Sequence, residues 1–151
     1  METDELVKKE AHTLLSHMGY VCVAPTEVKE RENRVSISLS IERPHELIGE
    51  RGATLNALQH IIRLCVVKKY NIHIPIDIDI NNYKKKREEF LQEFAKQIGE
   101  RVRMTKNEME LEPMSPFDRR VIHCTLAEYS DLITESKGEN ESRHIVVRFF
   151  S

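Results

Sequence analysis

Leu47-Ile48-Gly49-Glu50-Arg51-Gly52-Ala53-Thr54-Leu55 is the stretch on which the reading of this chain turns. A short apolar turn runs into a Gly-x-x-Gly loop, and the loop opens a helix. Glycine adopts backbone angles that other residues avoid, and with no side chain it lets another backbone come close. Behind the loop, Leu55, Leu58, Ile61, Ile62, Cys65 and Val66 recur at helical spacing, which predicts an amphipathic helix capped by the loop. Amides exposed at a helix start favour anions, phosphate among them. Gly-x-x-Gly also occurs in ordinary turns, so its flanks decide its meaning.

Upstream, residues 3–18 place Leu6, Val7, Leu14, Leu15 and Met18 on one helical face, and Gly19 ends the run. His12 and His17 are five apart, one more than aligns two ligands on a helix, so they read as solvated or packed rather than metal-binding. Tyr20–Val23 reads as a strand, followed by Pro25. Val35–Ile41 alternates apolar and polar residues, which predicts a second strand paired with the first through a charged turn at Lys29–Asn33. Pro44 starts a short helix, His45–Ile48. Beyond the long helix, isoleucines at 72, 74, 76, 78 and 80 alternate with polar residues in a third strand, and Pro75 suggests a sheet edge. Asp77 and Asp79 face one way there, as a solvent face or a metal pair.

The order helix, strand, strand, short helix, loop, helix, strand resembles a type II (prokaryotic) KH domain over residues 1–80. The resemblance implies an α+β fold, α-β-β-α-α-β, with a three-stranded sheet and helices on one face. It also implies a loop that meets single-stranded nucleic acid. Gly49 and Gly52 would then let the strand approach, Arg51 would meet a phosphate, and Ile48 and Leu55 would line an apolar groove for bases. Glu50 departs from the pattern, because loops of this kind usually carry basic or neutral residues between the glycines. Its carboxylate repels phosphate, which keeps open a second reading, a KH fold used to bind protein.

Asn81-Asn82 mark a boundary, and the second half is read as residues 81–151. Tyr83-Lys84-Lys85-Lys86-Arg87 opens a charged helix, with Phe90, Leu91, Phe94, Ala95, Ile98 and Val102 as its buried stripe. The basic run is either a solvated face or an attraction for nucleic acid through Lys84, Lys85 and Arg87, with Tyr83 free to stack on a base. Met109–Leu111 reads as a short strand. Ser115 then fits an N-cap, Pro116 the first helical position and Asp118 the third position of a capping box. Arg119 and His123 lie four apart on one helical face, so a guanidinium and an imidazole can grip one phosphate or carboxylate together. Val121, Ile122, Thr125 and Leu126 take the buried side. Leu132–Thr134 and His144–Val147 read as a closing hairpin about a polar turn at Lys137–Ser142.

Tyr83 through His123, with Leu-Glu-Pro-Met ahead of the second helix, resembles the R-3-H domain, named for the Arg-x-x-x-His spacing. The resemblance implies a small α/β domain with a three-stranded antiparallel sheet, in which Arg143 and Arg148 extend a basic surface towards Arg119. A KH domain joined to an R-3-H domain is similar to the bacterial Jag (SpoIIIJ-associated, KhpB-like) family along nearly the whole chain. That likeness implies a cytoplasmic RNA-binding regulator tied to small-RNA regulation and envelope growth. Many members carry a further N-terminal domain on a basic linker, so a short form or a fragment is expected here.

Composition limits the function. The chain has 151 residues, 40% hydrophobic and 32% charged, with a formal net charge of -2. Residues 1–80 carry 10 basic and 12 acidic side chains, and residues 81–151 carry 13 of each. Affinity for nucleic acid must therefore come from local patches and be modest and salt-dependent. No apolar run reaches the roughly 20 residues that cross a bilayer. The N-terminus lacks a signal-peptide pattern, which predicts a cytoplasmic protein without membrane insertion. Cys22, Cys65 and Cys124 fit no metal or redox spacing and read as small buried residues. No phosphate-binding Gly-Lys-Ser/Thr loop, His/Cys cluster or Gly-x-Ser-x-Gly elbow is present, so neither an enzyme nor a cofactor is expected.

The expected partner is single-stranded RNA or single-stranded DNA. If His123 is cationic when bound, affinity weakens above its titration range, and equal binding at pH 6 and pH 8 would exclude the imidazolium. The alternative is a regulator that docks on a protein, such as another KH protein or a secretion or translocation ATPase.

Overall fold

Apolar–polar alternation in Val35–Leu39 and in Ile76–Ile80 is realised as adjacent strands in a mixed sheet. The computed structural model describes residues 2–24 and 26–151 and divides into two compact units, Met1–Lys84 and Lys85–Ser151. The fold class is α+β, with two three-stranded sheets.

The first unit opens with α1 (Thr3–His17), which buries Val7, Ala11 and Leu15. β1 (Glu27–Arg31) and β2 (Arg34–Leu39) follow, then α2 (His45–Ile48), α3 (Ala53–Tyr70) and β3 (Ile76–Ile80). The strand order is β1-β2-β3, with β2 antiparallel to β1 and parallel to β3. A parallel pair needs a crossover, and α2, the glycine loop and α3 supply it. Val35, Ile37 and Leu39 meet Ile76, Ile78 and Ile80 in register, and all six are buried. β3 lies at the sheet edge, as Pro75 suggests, and the Pro75 carbonyl accepts from Val35 N–H at 3.0 Å. The Gln59 side chain on α3 accepts from Ile78 N–H at 2.9 Å, satisfying an edge amide.

The first strand is not where the sequence reading places it. Cys22 makes only an isolated bridge to Ile41, and Lys29–Arg31 belong to β1 rather than to a turn. The turn itself is Glu32-Asn33, both with positive φ, the conformation that matches the twist of a two-residue hairpin. β1 escapes detection because its sequence, Glu-Val-Lys-Glu-Arg, buries no residue fully. Pro25 lies outside the described residues. On α3, Leu55, Leu58, Ile62 and Val66 are buried, whereas Ile61 is 46% exposed. The cysteines are not core residues: Cys22 and Cys65 are half-buried, and Cys124 is exposed.

The second unit contains most of α4 (Tyr83–Thr105), then β4 (Met109–Glu110), α5 (Pro116–Leu126), β5 (Leu132–Lys137) and β6 (His144–Phe149). Its sheet is antiparallel throughout, in the order β4-β6-β5. α4 buries Leu91, Ala95 and Val102 in a core shared with Ile122, Leu126, Ile145 and Val147. Gly99 lets α4 approach closely, since a Cβ there would meet Leu126 and Leu132 at 2.9 and 3.0 Å. Phe90, expected in the buried stripe, is 58% exposed and stacks on Phe94, with the Arg87 guanidinium over its ring. No helix among the described residues is long and apolar enough to cross a membrane.

Candidate nucleic-acid interface

Two places carry the residues with phosphate chemistry, one in each unit. In the first, α2 ends at Gly49, and Glu50–Gly52 form one turn before α3 begins. Gly49, Arg51 and Gly52 have positive φ, 71°, 53° and 79°, values that glycine adopts easily and arginine rarely. Both glycines are also required by packing inside the unit. A Cβ on Gly49 would lie 2.2 Å from Thr54 Oγ1, and one on Gly52 would lie 2.8 Å from Tyr83 Cε1. Gly52 is buried, and the Tyr83 ring that covers it packs against the first core. Tyr83 is thus engaged with the loop, rather than standing free as a stacking platform.

Leu55 is 1% exposed and belongs to the core, so it lines no groove; Ile48, half-buried, lies at the rim of that core. Glu50 and Arg51 are exposed. The helix start behind them has no side-chain cap, which leaves first-turn amides of α3 without a capping side chain.

The basic run at the start of α4 is less available than its charge suggests. Asn81 and Asn82 both have positive φ, and the Asn81 side chain pairs with the Ile41 backbone on both sides, at 2.8 and 2.9 Å. Asp79 accepts from Lys84 N–H at 3.1 Å, starting the helix, and the Lys84 ammonium pairs with Asp77 and donates to Gln59. The two aspartates therefore serve the helix start. No metal-binding group of acids, histidines or cysteines occurs among the described residues. Arg87 forks onto Asp118 at 2.8 and 3.4 Å, and the aspartate is 1% exposed. Asp118 does not close a reciprocal capping box; it spends its carboxylate on Arg87, while its own N–H donates to Ser115 Oγ at 3.2 Å. Lys85 is exposed.

On α5 the geometry is more open. Ser115 caps the helix and Pro116 occupies the first turn, where its missing N–H costs nothing. Ile122 and Leu126 bury the helix, which turns Arg119 and His123 outward. Arg119 Nε donates to the Met114 carbonyl at 3.2 Å, leaving its terminal nitrogens without a partner among the described residues. His123 Nδ1 hydrogen-bonds the Thr134 hydroxyl on β5, which orients the ring and leaves Nε2 unpartnered among the described residues. A hydroxyl can donate or accept, so Thr134 supports either tautomer. Met114 N–H also donates to the Arg143 carbonyl at 3.2 Å, so Arg143 and Arg119 flank the same residue. Arg143 donates to the Gly138 carbonyl, and Arg148 pairs with Glu135, which neutralises it.

Residues 89–149, which include the whole of this helix and its sheet, match the family model of the R-3-H domain. The chain is 37% identical over 121 residues to the RNA-binding protein KhpB of Clostridium symbiosum, covering 80% of this chain and 54% of that protein. It is 36% identical over 122 residues to the RNA-binding protein KhpB of Bacillus subtilis, covering 80% of this chain and 59% of that protein. The protein of the same name from Streptococcus pneumoniae is 31% identical over 117 residues, 76% of this chain and 36% of that protein. The chain thus spans a little over half the length of the first two of these relatives. With a matching C-terminal domain and about 36% identity along four-fifths of its length, the chain is homologous to the KhpB (Jag) proteins and carries an R-3-H domain.

Proposed function

We propose that this chain is a non-enzymatic regulator that binds single-stranded RNA, gripping phosphates with the Arg119/His123 stripe of α5 and with the exposed turn at Glu50-Arg51. In this reading residues 1–80 form a type II KH domain and residues 81–151 an R-3-H domain. The element order of the first unit, the glycine turn between α2 and α3 and the mixed sheet support the first assignment. The R-3-H match supports the second. One observation carries the function: each side chain of the stripe is fixed at one nitrogen and presents others outward. A cation fixed before binding loses less conformational freedom on meeting a phosphate than a floppy one. The KhpB relatives, named as RNA-binding proteins, point the same way.

The experiment is a fluorescence-anisotropy titration of labelled single-stranded RNA of mixed sequence at two salt concentrations. Binding that weakens steeply with salt is expected, because phosphate contacts release counterions. A folded chain that binds no RNA at either salt would overturn the reading. It would favour protein docking, for which the exposed Glu50 suits a basic surface such as that of an ATPase.

A further inference from the structure

The ring of His123 is held by one side chain from another element, Thr134 of β5. The sheet order β4-β6-β5 makes β5 an edge strand, so the ring it supports stands at the rim of the sheet. Thr134 pairs with Val147, a core residue, and two positions earlier Leu132 is buried in the same core. Side chains alternate across a strand, so Thr134 belongs to the helix-facing side, where alternation calls for an apolar residue. It is half-buried there. Valine would fill the same volume with the same branching. Threonine adds only a hydroxyl, and that hydroxyl meets His123 Nδ1.

The chemistry of this partner decides what His123 offers outward. A carbonyl or carboxylate beside Nδ1 can only accept, so it would draw the proton of a neutral ring to Nδ1 and leave Nε2 a bare lone pair. A bare lone pair repels phosphate. A hydroxyl can donate instead. With Thr134 Oγ1–H donating to Nδ1, the neutral ring carries its proton on Nε2, the nitrogen without a partner among the described residues. Histidine in water already favours that form, and a donor at Nδ1 adds to the preference. When the ring is protonated, the hydroxyl turns and accepts from Nδ1–H, and Nε2–H still faces outward.

We propose that Thr134 is a positioning residue of the RNA site, whose hydroxyl holds the neutral His123 ring in its Nε2–H form and aims that N–H at a phosphate oxygen. The assignment rests on the RNA-binding reading above. It adds to that reading a residue outside the Arg-x-x-x-His spacing.

The test combines titration of single-stranded RNA with nitrogen NMR of the histidine ring, both on the whole chain. Thr134→Val keeps the side-chain volume and the strand preference and removes only the hydroxyl; circular dichroism checks that it folds. It is expected to weaken RNA binding about three- to tenfold, the scale of one hydrogen bond. Thr134→Ser restores a hydroxyl and is expected to recover most of the lost affinity. In a His123→Ala background, Thr134→Val is expected to change nothing further, because the hydroxyl acts through the ring. In the RNA-free wild type in mildly alkaline solution, the ring nitrogen shifts are expected to show a protonated Nε2 and a bare Nδ1. Thr134→Val binding like the wild type, while His123→Ala binds more weakly, would overturn the role of Thr134 and leave the stripe standing. Equal losses from Thr134→Val with and without His123 would overturn it too, as would a proton on Nδ1 of the neutral ring. Wild-type affinity in His123→Ala would overturn the histidine grip and Thr134 with it. A folded wild type that binds no RNA would overturn the RNA-binding reading itself.

Discussion

The glycine turn of the first unit and the Arg-x-x-x-His helix of the second are both candidate phosphate sites by motif, yet they are built in opposite ways. In the turn, the features that suggest ligand approach are consumed by the protein itself. Gly49 makes room for Thr54, Gly52 lies under Tyr83, and Leu55 is in the core. What remains outside is the exposed pair Glu50 and Arg51, of opposite charge. On α5 the arrangement is reversed. The buried groups, Ile122, Leu126 and the Asp118–Arg87 pair, hold the helix, and the motif residues stand outside with unspent nitrogens. A glycine motif can thus be demanded by internal packing, whereas a cationic side chain without an acidic partner is harder to explain by folding alone.

The largest effect should come from the support under α5. Asp118→Ala would remove the buried carboxylate onto which the Arg87 guanidinium, whose side chain is 19% exposed, forks. Breaking a buried pair on one side costs about 3–5 kcal/mol, so urea unfolding of the second unit should shift by that amount. Replacing both partners with apolar residues, Arg87→Met with Asp118→Leu, should recover most of it. No recovery would mean the pair does more than fill and satisfy the site.

Next comes the turn. Gly52→Ala combines a left-handed φ with a clash against Tyr83, and backbone strain of this kind costs about 1–3 kcal/mol. Tyr83→Ala in the same chain should relieve the steric part. A double-mutant cycle on thermal unfolding that shows no coupling would contradict the packing explanation for Gly52. The cycle also separates folding from binding, which a single glycine variant cannot do.

A smaller effect concerns acid stability of the first unit. Burial alone would raise the Glu10 carboxyl, but hydrogen bonds from Lys69 at 3.0 and 3.1 Å and from Tyr70 at 2.9 Å outweigh it and hold the group low. A lowered carboxyl stabilises the fold fully above its ordinary value of 4.5 and loses that contribution as pH falls through the folded value. Unfolding free energy should therefore decline on the acid side below about pH 4.5, and Glu10→Gln should flatten that limb. The same hydrogen bonds raise Lys69 and Tyr70, so their share is present at neutral pH and lost only at strongly alkaline pH.

The smallest effect probes the exposed charges of the turn. Glu50→Gln should raise RNA affinity about two- to fivefold if Arg51 meets a phosphate, the scale of one exposed charge interaction. An unchanged affinity would assign all phosphate contact to the second unit.

Much of this architecture can be read directly from local pattern. Strict alternation in Val35–Leu39 and Ile76–Ile80 marks β2 and β3, and Ser115-Pro116 marks the start of α5, because burial and capping impose fixed spacings. β1 is invisible because a charged strand without a buried residue has no such spacing. The partners of Lys84, Arg87 and Glu10 lie 7, 31 and 59 residues away, and no local rule pairs charges across such distances. The Arg-x-x-x-His spacing is legible, but the Met114 and Thr134 contacts that orient those side chains emerge only in three dimensions.

The most direct test of the α5 stripe is the slope of log affinity against log salt for single-stranded RNA, measured on the wild type and on Arg119→Ala with His123→Ala. Each lost phosphate contact on a single strand removes about 0.7 from the slope. A stripe that grips RNA predicts weaker binding and a slope shallower by about 0.7 to 1.4 in the folded variant. Wild-type affinity and an unchanged slope in that variant would contradict it.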